Sequence, residues 1–192
     1  TILLYLIFLQ PSLEKQNHRH FCQKVFMNIL RKGVFTVYSE YKSLLKTRLD
    51  EKRYYHSLCV ADEAKRLALK CGVDAEQAYL AGLLHDVTKF ASKDEHLQIF
   101  SDFGIILNDV EKNAEKLWHA MSGAAFCENI LKIADSEIID AIRYHTTAKA
   151  NMSPLCKVLY LADFTSADRN YPDVDVMRGL VDESFEKALV YA

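Results

Sequence analysis

The chain has 192 residues, 50% of them hydrophobic and 26% charged, which suits one domain with its own core and excludes a disordered polar chain. Six glycines and three prolines are too few for collagen, linker-rich or loop-rich β architectures. The net charge of −2 offers no global basic field to nucleic acid or a membrane, so an anionic ligand has to meet positive charge supplied locally.

The chain starts with an almost unbroken apolar run, Thr1 to Leu9, stopped by Gln10-Pro11. That run is too short to span a bilayer as a helix, and it has neither the basic start nor the small-residue cleavage site of a secretory signal. The first residue is Thr, and Met27 is a plausible alternative start. Residues 1–36 are read as an N-terminal extension of unknown role, and residues 37–192 as the functional domain.

From Val37 the apolar period is helical. Tyr38, Tyr41, Leu44, Leu45 and Leu49 form one stripe; Leu58, Ala61, Ala64, Ala68 and Cys71 form the next, with Gly72 as its stop. Asp74 with Gln77 caps a helix that ends at His85-Asp86. Ser92 with Glu95 opens another, closed by Gly104, and Asn108 with Glu111 opens a further polar turn. An apolar stretch covers Leu117 to Leu131, and Ser136 starts a short helix ending near His145. Ser153-Pro154 opens a helix through Asp163, and Asp173 starts the last one. No strand alternation, hairpin signal or internal repeat is present. The expected class is all-α, a helical bundle of about seven or more helices. The odd number of cysteines (Cys22, Cys59, Cys71, Cys127 and Cys156) and the lack of a C-x-x-C pair read as reduced, mostly core thiols, in keeping with a cytoplasmic protein.

Among the seven histidines, His18 and His20 lie in the extension, and His96 in the charged run Lys93-Asp94-Glu95 reads as solvated. The other four keep more telling company. His85-Asp86 follows an apolar helix, and adjacent histidine and carboxylate can both ligate one divalent metal. His56 on the preceding helix can add a third ligand. Asp163 sits in the apolar run Tyr160-Leu161-Ala162, where a carboxylate is costly unless it is paired or metal-bound. Such a ligand set leaves coordination positions open, as metal-assisted hydrolysis requires.

This order of a His, then Leu-Leu-His-Asp, then a distant Asp in an apolar helix resembles the HD-domain metal-dependent phosphohydrolases. Four runs bring it closer to one branch: Arg53 to Leu58, Leu80 to Lys89, Ala141-Ile142-Arg143-Tyr144-His145-Thr146-Thr147 and Tyr160 to Phe164. Over about residues 37–191 the chain is similar to the YqeK-type symmetrical bis(5′-nucleosyl)-tetraphosphatases of bacteria. The resemblance implies hydrolysis of diadenosine tetraphosphate to two ADP, with iron or a similar divalent metal (manganese, cobalt or a second ion) held by His56, His85, Asp86 and Asp163. It also implies substrate contacts from Asp86, Val87, Thr88, Lys89, His119, His145, Thr146, Asp163 and Arg169. Asp86 is the expected proton acceptor, Lys89 and Arg169 the expected phosphate grips, and His119 and His145 donors to leaving-group oxygens or ligands to a second ion.

The chain departs from that family after Asp163. Thr165-Ser166-Ala167-Asp168-Arg169 stands where the family has Ile-Glu-Pro-Gly-Arg, and the family's His-Pro and Ala-Arg-Asn tail is not found before Ala192. Other HD activities also fit the ligand set: nucleoside monophosphatase, nucleoside triphosphate triphosphohydrolase or alarmone hydrolase. A non-catalytic nucleotide-binding module is a further alternative. The expected partner is a small dinucleoside polyphosphate or nucleotide, with no nucleic acid and no membrane; a homodimer is a reasonable expectation.

Overall fold

The computed structural model describes the backbone of residues 34–192 and the side chains of residues 38–192. The apolar start, His18, His20, Cys22 and Met27 lie outside the described residues, and the first helix, α1 (Val34–Arg48), runs across the expected boundary at residue 37. The remaining α-helices are α2 (Glu51–Cys71), α3 (Ala75–Leu84), α4 (Lys93–Asp102), α5 (Asp109–Lys112), α6 (Trp118–Asn129), α7 (Ser136–Tyr144), α8 (Pro154–Thr165), α9 (Val174–Glu183) and α10 (Phe185–Tyr191). A short 3-10 turn, Glu115–Leu117, leads into α6, and no strand occurs among the described residues. No described helix is long and apolar enough to cross a membrane.

The helix starts follow from their caps. Asp74 accepts from the backbone N–H groups of Glu76 and Gln77, and Ser92 from that of Glu95. Asn108 and Glu111 form a reciprocal capping box, and Ser153 caps α8 with Pro154 in its first turn. Helix α7 begins at Ser136 as expected, and Asp135, one residue before it, supplies its cap. The last helix differs. Asp173 adopts a left-handed backbone (φ 67°) and makes no side-chain cap, and the last helix is broken in two at Ser184, whose extended backbone ends α9 and whose hydroxyl caps α10.

Helix α3 sits at the centre, packed against α2, α7 and α8. Its closest neighbour is α2. A Cβ at Gly82 would lie 2.7 Å from Ala61 Cα and 2.9 Å from Val60 O, so the two backbones touch where only glycine fits. Along α2, Ala61, Ala64 and Ala68 are buried as their spacing predicts, but Cys71, the last residue of the helix, is exposed. Cys59, Cys127 and Cys156 are buried free thiols. A smaller cluster of Phe100, Trp118 and Met121 joins α4 to α6. His96 belongs beside it: it is buried, its ring packs against Phe100 and Trp118, and its Nδ1 lies 2.8 Å from Ser122 Oγ. The expectation of a solvated His96 fails because one face of α4 turns inward with His96, Ile99 and Phe100, a one-turn spacing that the charged residues before it conceal.

Candidate active site

The α2–α3 contact brings His56, in the second turn of α2, to His85, the residue that ends α3; their ring centroids are 5.3 Å apart. Asp86 follows in a series of tight turns in which Lys89 N–H donates to Asp86 O and Ala91 N–H to Thr88 O. Asp163 projects from the last turn of α8. Its Oδ1 is 3.0 Å from His56 Nε2 and 3.9 Å from His85 Nε2. His56, His85 and Asp163 form one group whose ligating atoms all lie within 4.8 Å of one another; His85, Asp86 and His145 form a second, sharing His85. The four expected ligands are thus brought together around His85, and His145 joins them.

The rings are fixed from behind. His85 Nδ1 is 2.7 Å from Gly82 O, His119 Nδ1 2.9 Å from Lys116 O, and His145 Nδ1 2.7 Å from Ile142 O. A carbonyl can only accept, so each Nδ1 donates to it and each ring turns its Nε2 to the site. His119 Nε2 and His145 Nε2 lie 3.2 and 3.7 Å from Asp86 Oδ1. His85 Nε2 is buried and makes no hydrogen bond, although Asp86 Oδ2 is only 3.4 Å away. A buried, inward-facing ring nitrogen without a hydrogen-bond partner, ringed by imidazoles and two carboxylates, fits a divalent cation.

Three cations neutralise the carboxylates. Arg53 Nη1 donates to Asp86 Oδ2 at 2.9 Å, and Arg169 donates to both Asp163 Oδ1 and, at 2.6 Å, Asp163 O. Lys89 Nζ lies 3.8 Å from Asp86 Oδ1 and donates to His119 Nε2 at 3.1 Å. Burial pushes the Asp86 carboxyl up, but the neighbouring His85, followed by His119 and His145, holds it well below the usual carboxylate range. Asp163 behaves alike: burial opposes ionisation, while His56, His85 and Arg169 outweigh it. Burial lowers both Lys89 and His119 from their ordinary values, against the pull of Asp86.

Not every expected contact faces the site. The Val87 and Thr88 side chains are wholly buried, and Thr88 Oγ1 donates to His119 O and lies 2.9 Å from Ser122 Oγ, so both brace the turn and cannot reach a bound substrate with their side chains. Thr146 keeps a buried Oγ1 with no partner just past α7, where a ligand could use it. Two contributors escape the sequence reading. Arg53 figures there only as part of a motif, and Asp168, which meets His56 Nδ1 at 2.8 Å, lies in the stretch that departs from the family pattern. The carboxylate one residue before Arg169 is the available signal.

An all-α bundle carrying a buried cluster of histidines and aspartates at the ends of its central helices defines a metal-dependent hydrolase architecture. The sequence pattern described as "HD domain" matches residues 53–168, and the chain belongs to that family. It is 37% identical over 146 residues to the symmetrical bis(5′-nucleosyl)-tetraphosphatase of Bacillus subtilis, covering 76% of this chain and 78% of that one. Its likeness to the enzyme of the same name from Staphylococcus aureus is 36% over 139 residues, 72% of this chain and 71% of the other. A crystal structure from Clostridium acetobutylicum, described as a predicted HD superfamily hydrolase involved in NAD metabolism, superposes with a TM-score of 0.78 at 36% identity, over 80% of this chain and 82% of that one. An HD domain implies a divalent metal, and the two histidine–aspartate groups are able to bind one.

Proposed function

We propose that this chain is a symmetrical bis(5′-nucleosyl)-tetraphosphatase that hydrolyses diadenosine tetraphosphate to two molecules of ADP. Its likeness to enzymes of that name supports the substrate, and one observation carries the chemistry: the buried, unbonded Nε2 of His85 among His56, Asp86 and Asp163. In this reading those four residues hold the divalent metal, with iron the proposed ion and manganese or cobalt its substitutes. A cation there would supply positive charge against the phosphates and would lower the pKa of a bound water towards about 7.

The chain's own residues do the rest. Asp86, ionised and acting from the base of the site, accepts the proton of the attacking water. Lys89 and Arg169 grip phosphate oxygens, the one as a point charge and the other as a planar fork. His119 and His145, whose Nε2 atoms face Asp86, contact leaving-group oxygens or hold a second ion, and the Thr146 hydroxyl takes a contact at the rim. In this reading residues 37–192 are the working domain, the residues before them have no assigned role, and the protein works in the cytoplasm as a homodimer on a small dinucleotide, without nucleic acid or membrane.

The test is chromatography of the products from metal-loaded protein and diadenosine tetraphosphate. ADP as the sole product is expected. Equal AMP and ATP would overturn the symmetrical cleavage, and turnover confined to nucleoside mono- or triphosphates would move the chain to another HD activity.

A further inference from the structure

We propose that Asp168 is a positioning residue for the metal centre: its carboxylate keeps His56 protonated on Nδ1, aims the Nε2 lone pair at the Asp163 side, and makes the ring a stronger ligand. The inference rests on the reading of His56 as a ligand.

Among the four clustered histidines, His56 faces a problem the others do not. His85, His119 and His145 sit at helix ends, and each bonds the carbonyl three residues behind it. Gly82 and Ile142 lie in the last turns of their helices, where carbonyls lack an intrahelical partner, and Lys116 lies before the start of α6. His56 lies within α2, where the corresponding carbonyl belongs to Arg53. Helix geometry already commits Arg53 O to the N–H of Ser57, and Ser57 Oγ donates to it as well, at 3.2 Å. The ring's Nδ1 therefore needs an acceptor from outside its own helix, and Asp168 Oδ2 provides one at 2.8 Å, while Asp163 Oδ1 faces Nε2 at 3.0 Å.

The acceptor is built in. Ser166, itself fully buried, donates from Oγ to Asp168 Oδ1 at 2.8 Å, fixing the other carboxylate oxygen. Arg178, reaching over from α9, donates to Thr165 O at 3.2 Å, Ser166 O at 3.0 Å and Arg169 O at 3.1 Å. One clamped loop thus sends consecutive residues to two proposed ligands, Asp168 to His56 and Arg169 to Asp163. A carboxylate behind an imidazole both orients it and raises its basicity, and removing such a partner typically weakens metal binding by about 10- to 100-fold.

The test compares wild type, Asp168→Ala, Asp168→Asn and His56→Ala. Manganous ion affinity is measured by chelator competition, and nitrogen NMR of the metal-free proteins reads the His56 tautomer. Asp168→Ala should bind manganese about 10- to 100-fold more weakly and lose the single Nδ1–H tautomer. Asp168→Asn, which keeps an acceptor oxygen but no charge, should hold the tautomer and lose less affinity. Thermal unfolding of the metal-free variants separates these effects from loss of the fold, and if Asp168→Ala fails to fold, Asp168→Asn and Ser166→Ala carry the comparison. Wild-type affinity and tautomer in the Asp168 variants, with metal lost in His56→Ala, would overturn the proposal and leave His56 as a ligand. Undiminished affinity in His56→Ala would instead overturn the ligand reading on which it rests.

Discussion

Arg169 and Lys89 face two ways. Each can meet a phosphate, yet Arg169 is fastened to the Asp163 carboxylate and Lys89 to the Asp86–His119 pair. A hydrogen bond to a charged group is worth about 1.5–3 kcal/mol, so Lys89→Ala and Arg169→Ala should each lower kcat/KM by about 10- to 150-fold. The placement of Arg169 adds a second expectation: its variant should also bind metal more tightly, because the Asp163 oxygen that faces His56 no longer pairs with a guanidinium. Metal titration beside steady-state kinetics checks both. His96 is a residue-scale case of pH dependence. Burial lowers its pKa below the ordinary value of about 6.5. The unfolded chain therefore binds the proton first, and the native state loses stability as pH falls from about 6.5 towards the folded pKa, with the full contribution present above that window. Urea midpoints at pH 7.5 and 5.5 should drop less for His96→Gln than for wild type; an equal drop would remove His96 as the source. At this scale the ligand histidines and aspartates are legible because apolar surroundings expose them. His96 is not, since its sequence neighbours are charged while its spatial neighbours, Trp118 and Ser122, come from another helix.

The contact between α2 and α3 depends on a missing side chain. Gly82→Ala would press a methyl group on the backbone of Ala61 and Val60, atoms that cannot swing aside. Overpacking of this kind costs about 1–3 kcal/mol and occasionally more, and it would also part His56 from His85. Gly179 offers the opposite case. It is exposed within α9, and a methyl group added there would meet nothing within 4 Å, so Gly179→Ala should stabilise by about 0.5–1 kcal/mol. Denaturant unfolding of the two variants should give opposite signs. Most helix starts can be read in the sequence because Asp74, Ser92, Asn108 and Ser153 are local devices. The break at Ser184 escapes the sequence reading although Ser184 is itself a capping residue, because the apolar period continues across it. The turn after α3 is legible as a motif, whereas the inward burial of Val87 and Thr88 depends on α6 packing behind them.

The whole molecule is needed to assemble the site, since its ligands come from α2, the end of α3 and the end of α8. An unfolded chain holds no such cluster, so a cation that binds only the native state adds stability, about 2.7 kcal/mol at a free concentration a hundred times its Kd. For a chain of this size that is about 5–11 °C in Tm. Chelation should lower the midpoint by that much in wild type and leave His85→Ala unmoved, which differential scanning calorimetry would show. The all-α class follows from period and composition, but the convergence of residues 56, 86 and 163 is a property of tertiary packing, and without the family pattern their spacing alone does not locate it. The ion pairs of Arg53 with Asp86 and Arg169 with Asp163 carry a thermodynamic consequence. A carboxylate that turns to a cation loosens its guanidinium, which is then free for a polyphosphate. Cation and nucleotide should therefore bind with positive coupling, and linkage makes that coupling reciprocal: whatever factor the metal adds to nucleotide affinity, the nucleotide returns to the metal.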